Sequence, residues 1–193
     1  MKPLALLAVV LGCAACSSAA PPPPPTPTAT ATGPVALAAK CPQFPTDPSN
    51  PASLAALAGD PVAAALSHIP AVSTYAGALE STGSGDTLNQ LAAVTVFAPT
   101  DDAFSAYRAK LGDTRYAAVF ADLAQLTILV STHVVPSALT PADLSGPLPN
   151  VAGNTLTAAG PAGAPTVNGH RVSCGPIPVK SGEIYLVDGV LTG

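Results

Sequence analysis

Histidines, cysteines and paired carboxylates are the side chains of this 193-residue chain that could do chemistry. His68, His133 and His170 are dispersed, without the short ligand spacing of a metal site, so no metal is expected. His133 lies in an apolar run and is the residue most suggestive of a general base. A base needs a nucleophile in reach. Ser131 and Ser137 are near in sequence but lack the strand–turn–helix elbow that exposes a nucleophilic serine. His133 therefore reads as a core histidine bonded to local backbone or to a carboxylate. Asp101 and Asp102 follow Thr100 at what reads as a helix start, where carboxylates answer the helix dipole rather than form an acid–base pair. Asp188 reads as a structural hydrogen-bonding group. The Gly83–Gly85 stretch is not followed by the Lys-Ser/Thr of a phosphate loop. These residues form no catalytic constellation, and no cofactor is expected.

The four cysteines divide into two pairs with different roles. Lys2 precedes a short apolar run from Pro3 to Gly12 that ends at Cys13, the anatomy of an export signal. A small residue followed by Cys resembles a bacterial lipobox, in which the thiol takes a diacylglyceryl group. Cys13, after Val10-Leu11-Gly12, is favoured over Cys16, after Cys13-Ala14-Ala15. The alternative is a plain secreted protein cleaved after Ala20. Stable anchoring needs two acyl chains or more, which a diacylglyceryl group supplies. Residues 1–16 are thus read as the signal, and 17–40 as a tether. Pro21 to Pro25 and the Thr/Pro/Ala run after them exclude helix and sheet. Such a segment reaches at most about 75 Å, and its Thr/Pro clusters fit either an O-glycosylated stalk or a bare linker. Cys41 and Cys174 lie beyond it in an oxidising compartment. A bridge between them would close a loop of about 130 residues and contribute on the order of 4–5 kcal/mol in the chain-entropy model. It would tie the irregular segment 41–53 to the domain. Free thiols or a metal pair are the alternatives.

Composition narrows the classes further. Charged residues are 9%, the net charge is -4, and Trp is absent. A charge-poor acidic chain lacks the basic patch that phosphate backbones require, which excludes nucleic-acid binding. No run of 18 apolar residues spans a membrane, so membrane contact is expected through the lipid alone.

The elements that position these residues follow from pattern. Asp60-Pro61 predicts a helix start, with Val62, Leu66 and Ile69 on one face and Pro70 as its end. A second helix is predicted from Ala71 to Leu79, then a loop from Ser81 to Asp86. Thr95-Val96-Phe97-Ala98 predicts a strand stopping at Pro99. Thr100 caps a helix through Leu111, with Phe104, Tyr107 and Leu111 inward. Phe97 and Phe104, flanking this corner, are expected in one core. One helical stretch is predicted within Tyr116 to Leu129, with Val119, Leu123 and Leu126 inward. His133-Val134-Val135 predicts a short strand. Short strand signals follow at Thr155-Leu156-Thr157, Thr166-Val167, Arg171-Val172-Ser173, Ile177 to Val179 and Ile184 to Leu191. Asn168-Gly169 is a hairpin turn between two of them. Early helices and late antiparallel strands make the fold class α+β.

Three segments carry a family resemblance. Thr95-Val96-Phe97-Ala98-Pro99-Thr100-Asp101-Asp102-Ala103-Phe104 resembles the first signature of the fasciclin (FAS1) domain. His133-Val134-Val135-Pro136 resembles its central Tyr-His motif, with Thr132 in place of Tyr. Ile184 to Leu191 resembles the second signature, and the resemblance covers residues 54–193. The layout resembles the exported or lipid-anchored fasciclin-domain antigens of actinobacteria. The resemblance implies a twisted β-sandwich wedge with helices packed along one side. It implies Phe97, Pro99, Thr100, Phe104, His133 and Asp188 as structural motif residues. It also implies a non-catalytic adhesion module binding an unknown protein or matrix partner; with the lipobox, a monomer is expected at the cell membrane, lipid-anchored and facing outward, or released from it. A carrier of a small apolar ligand or lipid is the alternative, and an enclosed apolar cavity would mark it.

Overall fold

The computed structural model describes Cys41 and residues 44–192. The signal, Cys13, Cys16 and the tether lie outside the described residues. Seven α-helices are described: α1 Leu54–Leu57, α2 Val62–Ser67, α3 Ser73–Ser81, α4 Gly85–Asn89, α5 Asp101–Leu111, α6 Asp113–Ala121 and α7 Leu123–Thr132. The strands are β1 Val94–Pro99, β2 Val134–Val135, β3 Gly146–Pro149, β4 Thr155–Ala159, β5 Thr166–Val167, β6 His170–Val179 and β7 Gly182–Val187. They form one sheet in the order β2-β1-β7-β6-β5-β4-β3. The β1–β7 pair is parallel, and the other pairs are antiparallel.

Strand alternation divides the interior into two clusters. Val94, Val96 and Ala98 of β1, with Ile184 and Leu186 of β7, pack against the helices. Phe97, Tyr185 and Val187 point the other way, where Leu148, Leu156 and Val167 from the far strands meet them. Successive strand side chains face opposite sides, and here both sides are buried. That explains why every residue of β1 is buried. β6 carries the sheet from one layer to the other through irregular register around Cys174 and Ile177. Gly175 sits in that bend at φ +138, and a Cβ there would lie 2.5 Å from Cδ1 of Tyr185. The result is a folded-over sheet with helices on one side, the expected α+β wedge.

Several local expectations need correction. Phe97 and Phe104 enter different cores, because α5 leaves β1 on the helical side while Phe97 faces the sandwich. Asp60 does not cap α2. Its carboxylate meets Nδ1 of His68 at 3.0 Å, and the side chain of Asn89 accepts from Ala63 N instead. The loop after α3 is shorter than expected, since α4 begins at Gly85. The stretch from Tyr116 is two helices, broken at Asp122, whose carboxylate accepts from the amides of Ala124 and Gln125. Leu123 is consequently 60% exposed rather than inward. Arg171–Ser173 and Ile177–Val179 belong to one strand, β6, and β7 stops at Val187. The hairpin at Asn168-Gly169 has positive φ at both residues, +48 and +80, as a type I′ turn requires.

Candidate functional site

The three motif segments converge on one corner, and a hydrogen bond joins each pair of them. Phe97 N donates to His133 O at 2.9 Å, linking the first to the central segment. Thr100 N donates to Val187 O at 3.1 Å, linking the first to the last. Leu191 N donates to Nε2 of His133 at 2.9 Å, linking the last to the central. His133 is not in a strand; it caps the end of α7, and β2 begins after it.

The surroundings of His133 define its chemistry. It is fully buried, with Nδ1 2.7 Å from Leu129 O. A carbonyl can only accept, so Nδ1 carries the hydrogen and Nε2 offers its lone pair to Leu191 N–H. The ring is the neutral Nδ1–H tautomer, with no nitrogen left to act as a base. Burial lowers its pKa from 6.5 to about 4, against a smaller upward pull from the Leu129 carbonyl. The Tyr75 ring lies 5.5 Å away, and its hydroxyl donates to Val130 O at 3.1 Å.

Thr100 caps α5, its Oγ1 accepting from Ala103 N at 3.2 Å. Asp101 does more than answer the helix dipole. Its carboxylate accepts from Thr74 N at 2.8 Å and from the Ser73 hydroxyl at 2.9 Å, fastening α5 to the start of α3. Burial raises its pKa, but the bonds from Thr74 and Ser73 outweigh that and hold the carboxyl below the usual range. Asp102 is exposed, so the two carboxylates do not form a pair. Asp188 sits one residue past β7. Its Oδ1 accepts from Arg171 N at 2.7 Å, closing the end of the β6–β7 ladder. Pro99 ends β1, Phe104 packs edge-on to Phe120, and Phe97 stacks on Tyr185. Cys41 and Cys174 are joined by a disulfide with a Cα–Cα distance of 4.7 Å.

Grooves open on the surface of the described residues. One, of about 220 Å³, lies between Tyr107, Val119, Ile128 and Leu191. A second, of about 350 Å³, lies beside the disulfide, between Cys41, Thr100, Asp102 and Ser173. A third, of about 550 Å³, runs along α2 to α4, where small residues and the carboxylates of Glu80 and Asp86 line it. Among the described residues, no three His, Cys, Asp or Glu side chains converge as a metal site.

A family model for the fasciclin domain matches residues 70–193. The chain belongs to the fasciclin domain family. The fasciclin chain is 32% identical over 150 residues to the immunogenic protein MPB70 of Mycobacterium bovis, covering 75% of each. It is also 32% identical over 157 residues to the cell surface glycolipoprotein MPB83 of the same species, covering 78% of this chain and 69% of that one. Among solved structures, a pair of FAS1 domains from the insect cell adhesion molecule Fasciclin I superposes with a TM-score of 0.61 at 17% identity. The match covers 72% of this chain and 52% of that one, and it shows the shared fold.

Sequence reasoning missed three polar residues in the interior of this fasciclin domain, two of which organise it. Asn150 is buried, and its Nδ2 donates to Thr132 O at 3.1 Å. Thr95 Oγ1 donates to Ser137 O and accepts from Leu139 N. Glu183 has a buried carboxylate oxygen without a hydrogen-bond partner. No local pattern reports the Asn150 and Thr95 contacts, because each joins segments remote in sequence, nor the burial of Glu183.

Proposed function

We infer that this chain is a surface-displayed, non-catalytic binding module, held at the outer membrane face by lipid on Cys13 or, failing that, Cys16. The observation that carries this reading is the closure of the motif corner. Its histidine, its threonine cap and its terminal aspartate are all engaged by backbone amides or carbonyls. The motif residues therefore hold the scaffold, and binding is assigned to the outer surface. The names of the relatives, a cell surface glycolipoprotein and an immunogenic protein, support exposure at the cell surface. The glycolipoprotein name also supports a glycosylated tether on Thr26 to Thr32.

The alternative role, a carrier of a small apolar ligand, requires an enclosed cavity. The three described grooves are open to solvent, which favours contact with a partner surface. Two measurements test the proposal. Mass spectrometry of the membrane fraction is expected to show an acylated N-terminal Cys; an unmodified N-terminus at or beyond Ala20 refutes the anchor. Pull-down from cell-wall or matrix extract, compared among folded variants, tests the module. Thr100→Ala or His133→Ala losing partner binding at an unchanged melting temperature would make the motif itself the binding site and overturn the reading.

A further inference from the structure

Charge is distributed unevenly over the described domain. It holds all eleven carboxylates of the chain but only five of its seven Lys and Arg residues, since Lys2 and Lys40 lie outside it. Three of those five, Arg108, Lys110 and Arg115, fall between Ala103 and Ala121, past the two aspartates that open α5, and in that stretch the single carboxylate is Asp113. Arg108 pairs with Asp113. Lys110 and Arg115 are exposed and make no ion pair among the described residues. An acidic domain thus carries one locally cationic edge.

That edge borders α7, which carries Leu123 and Ile128, two of the three large apolar side chains exposed among the described residues. From Tyr116 to Ala142 the only charged residue is Asp122, and its carboxylate is committed to the start of α7. Ile128 projects from α7 with 58% of its surface exposed. Beside it runs the groove whose walls are Tyr107 from α5, Val119 from α6, and Gln125 and Leu129 from α7. Lys110 lies one helical turn past Tyr107, and Arg115 one turn before Val119, so both cations stand at the rim. An apolar floor with a basic rim is the pattern that binds an anionic lipid surface: apolar side chains enter the boundary while cations meet headgroups. The remaining faces, carrying most of the carboxylates, are repelled by the same surface.

We propose that the α5–α7 face, centred on Ile128 and rimmed by Lys110 and Arg115, docks on an anionic lipid bilayer. Membrane contact is then not through the lipid anchor alone. This contact orients the domain and directs its acidic faces outward toward partners. It draws on the proposed anchorage only for proximity to the membrane.

The chain has no Trp, so Ile128→Trp in the full chain is a single fluorescent reporter of the face. Ala162→Trp, in the exposed loop between β4 and β5, is the control. Both are mixed with phosphatidylcholine vesicles, with and without phosphatidylglycerol. The Ile128→Trp emission is expected to shift to the blue, and to be quenched by brominated acyl chains, only when phosphatidylglycerol is present. Lys110→Glu with Arg115→Glu is expected to weaken that response about tenfold or more, while Ala162→Trp stays unmoved. Both reporters share one leader, so leader insertion affects them alike. No blue shift at position 128, equal shifts at both positions, or a shift indifferent to phosphatidylglycerol and to charge reversal overturns the proposal. Sedimentation of the chain with neutral vesicles reports the leader and anchor separately. If the chain sediments while the position 128 reporter stays in water, membrane association stands and this face is not the contact. Burial of that reporter by a protein but not by vesicles would make the face a protein interface and equally reject a lipid surface.

Discussion

His133 accepts the amide hydrogen of Leu191 through Nε2 at 2.9 Å while donating through Nδ1 to Leu129. Both bonds need the neutral ring, since a proton on Nε2 would set one N–H against another. Burial holds the folded pKa at about 4, against 6.5 in the unfolded chain. Between those values the unfolded state binds more protons, so stability rises with pH. The contribution is complete above 6.5 and lost as pH falls toward 4; at about 1.4 kcal/mol per unit it amounts to roughly 3 kcal/mol. Urea melts from pH 7 to 4 are expected to show this slope, and His133→Gln to reduce it. An unchanged slope in that variant would falsify the assignment.

Asp101 and Asp102 are adjacent but structurally unequal. Asp101→Ala removes the acceptor for Thr74 N and the Ser73 hydroxyl and is expected to cost about 1–2 kcal/mol, as for a lost cap. Asp102→Ala, at an exposed position, is expected to stay within about 0.5 kcal/mol of the parent. Thr100→Ala is expected to cost about 1 kcal/mol. Chemical denaturation of the three variants checks the order, and equal losses at Asp101 and Asp102 would reject the fastening of α5 to α3.

The readable part of the fold is the part specified by local chemistry. The Thr100 cap, the arrest of β1 at Pro99 and the Asn168-Gly169 turn each depend on side chains within a few residues. The errors fall where distant segments decide. A period of two shows that Phe97 and Val96 face opposite ways, but not that both faces are covered, so the second core was invisible. Asp60, expected as a cap, and Asp122, expected inside a continuous helix, are alike in residue type. Only Asp122 acts as a cap, because His68 occupies the Asp60 carboxylate. At the motif corner, His133 was legible as a core residue bonded to local backbone, which Leu129 supplies, yet its partner Leu191 was not, since it is 58 residues away.

The disulfide joins a half-buried Cys41 to a fully buried Cys174 in β6, 133 residues apart. Helix α1 packs on the same strand, and Ser53 and Leu57 beside it are buried. Cys174→Ser is therefore expected to cost about 2–5 kcal/mol and to release the N-terminal arm. Hydrogen exchange is expected to accelerate at the Leu57 and Ala58 amides, which bond back to Ser53 and Leu54. Non-reducing peptide mapping checks the pairing. Free alkylation of both thiols in the native exported protein rules it out.

Glu183 runs opposite to His133 in its response to pH. It faces the sandwich side of β7, level with Thr95 on β1 and Pro178 on β6, and its Oε2 is buried without a hydrogen-bond partner. Burial raises its pKa above the ordinary glutamate value. With the folded pKa raised, its contribution is most favourable below the unfolded value and is lost as pH rises through the folded one. At neutral pH the ionised carboxylate is a net cost, because a desolvated charge lacks a partner. Glu183→Gln keeps the shape and removes the charge. Its melting temperature is expected to exceed the parent's at pH 7, with the difference closing near pH 4, where both side chains are neutral. Thermal melts across that range test the sign directly. A variant less stable than the parent at pH 7 would mean that the carboxylate is held by a contact this orphaned oxygen does not make.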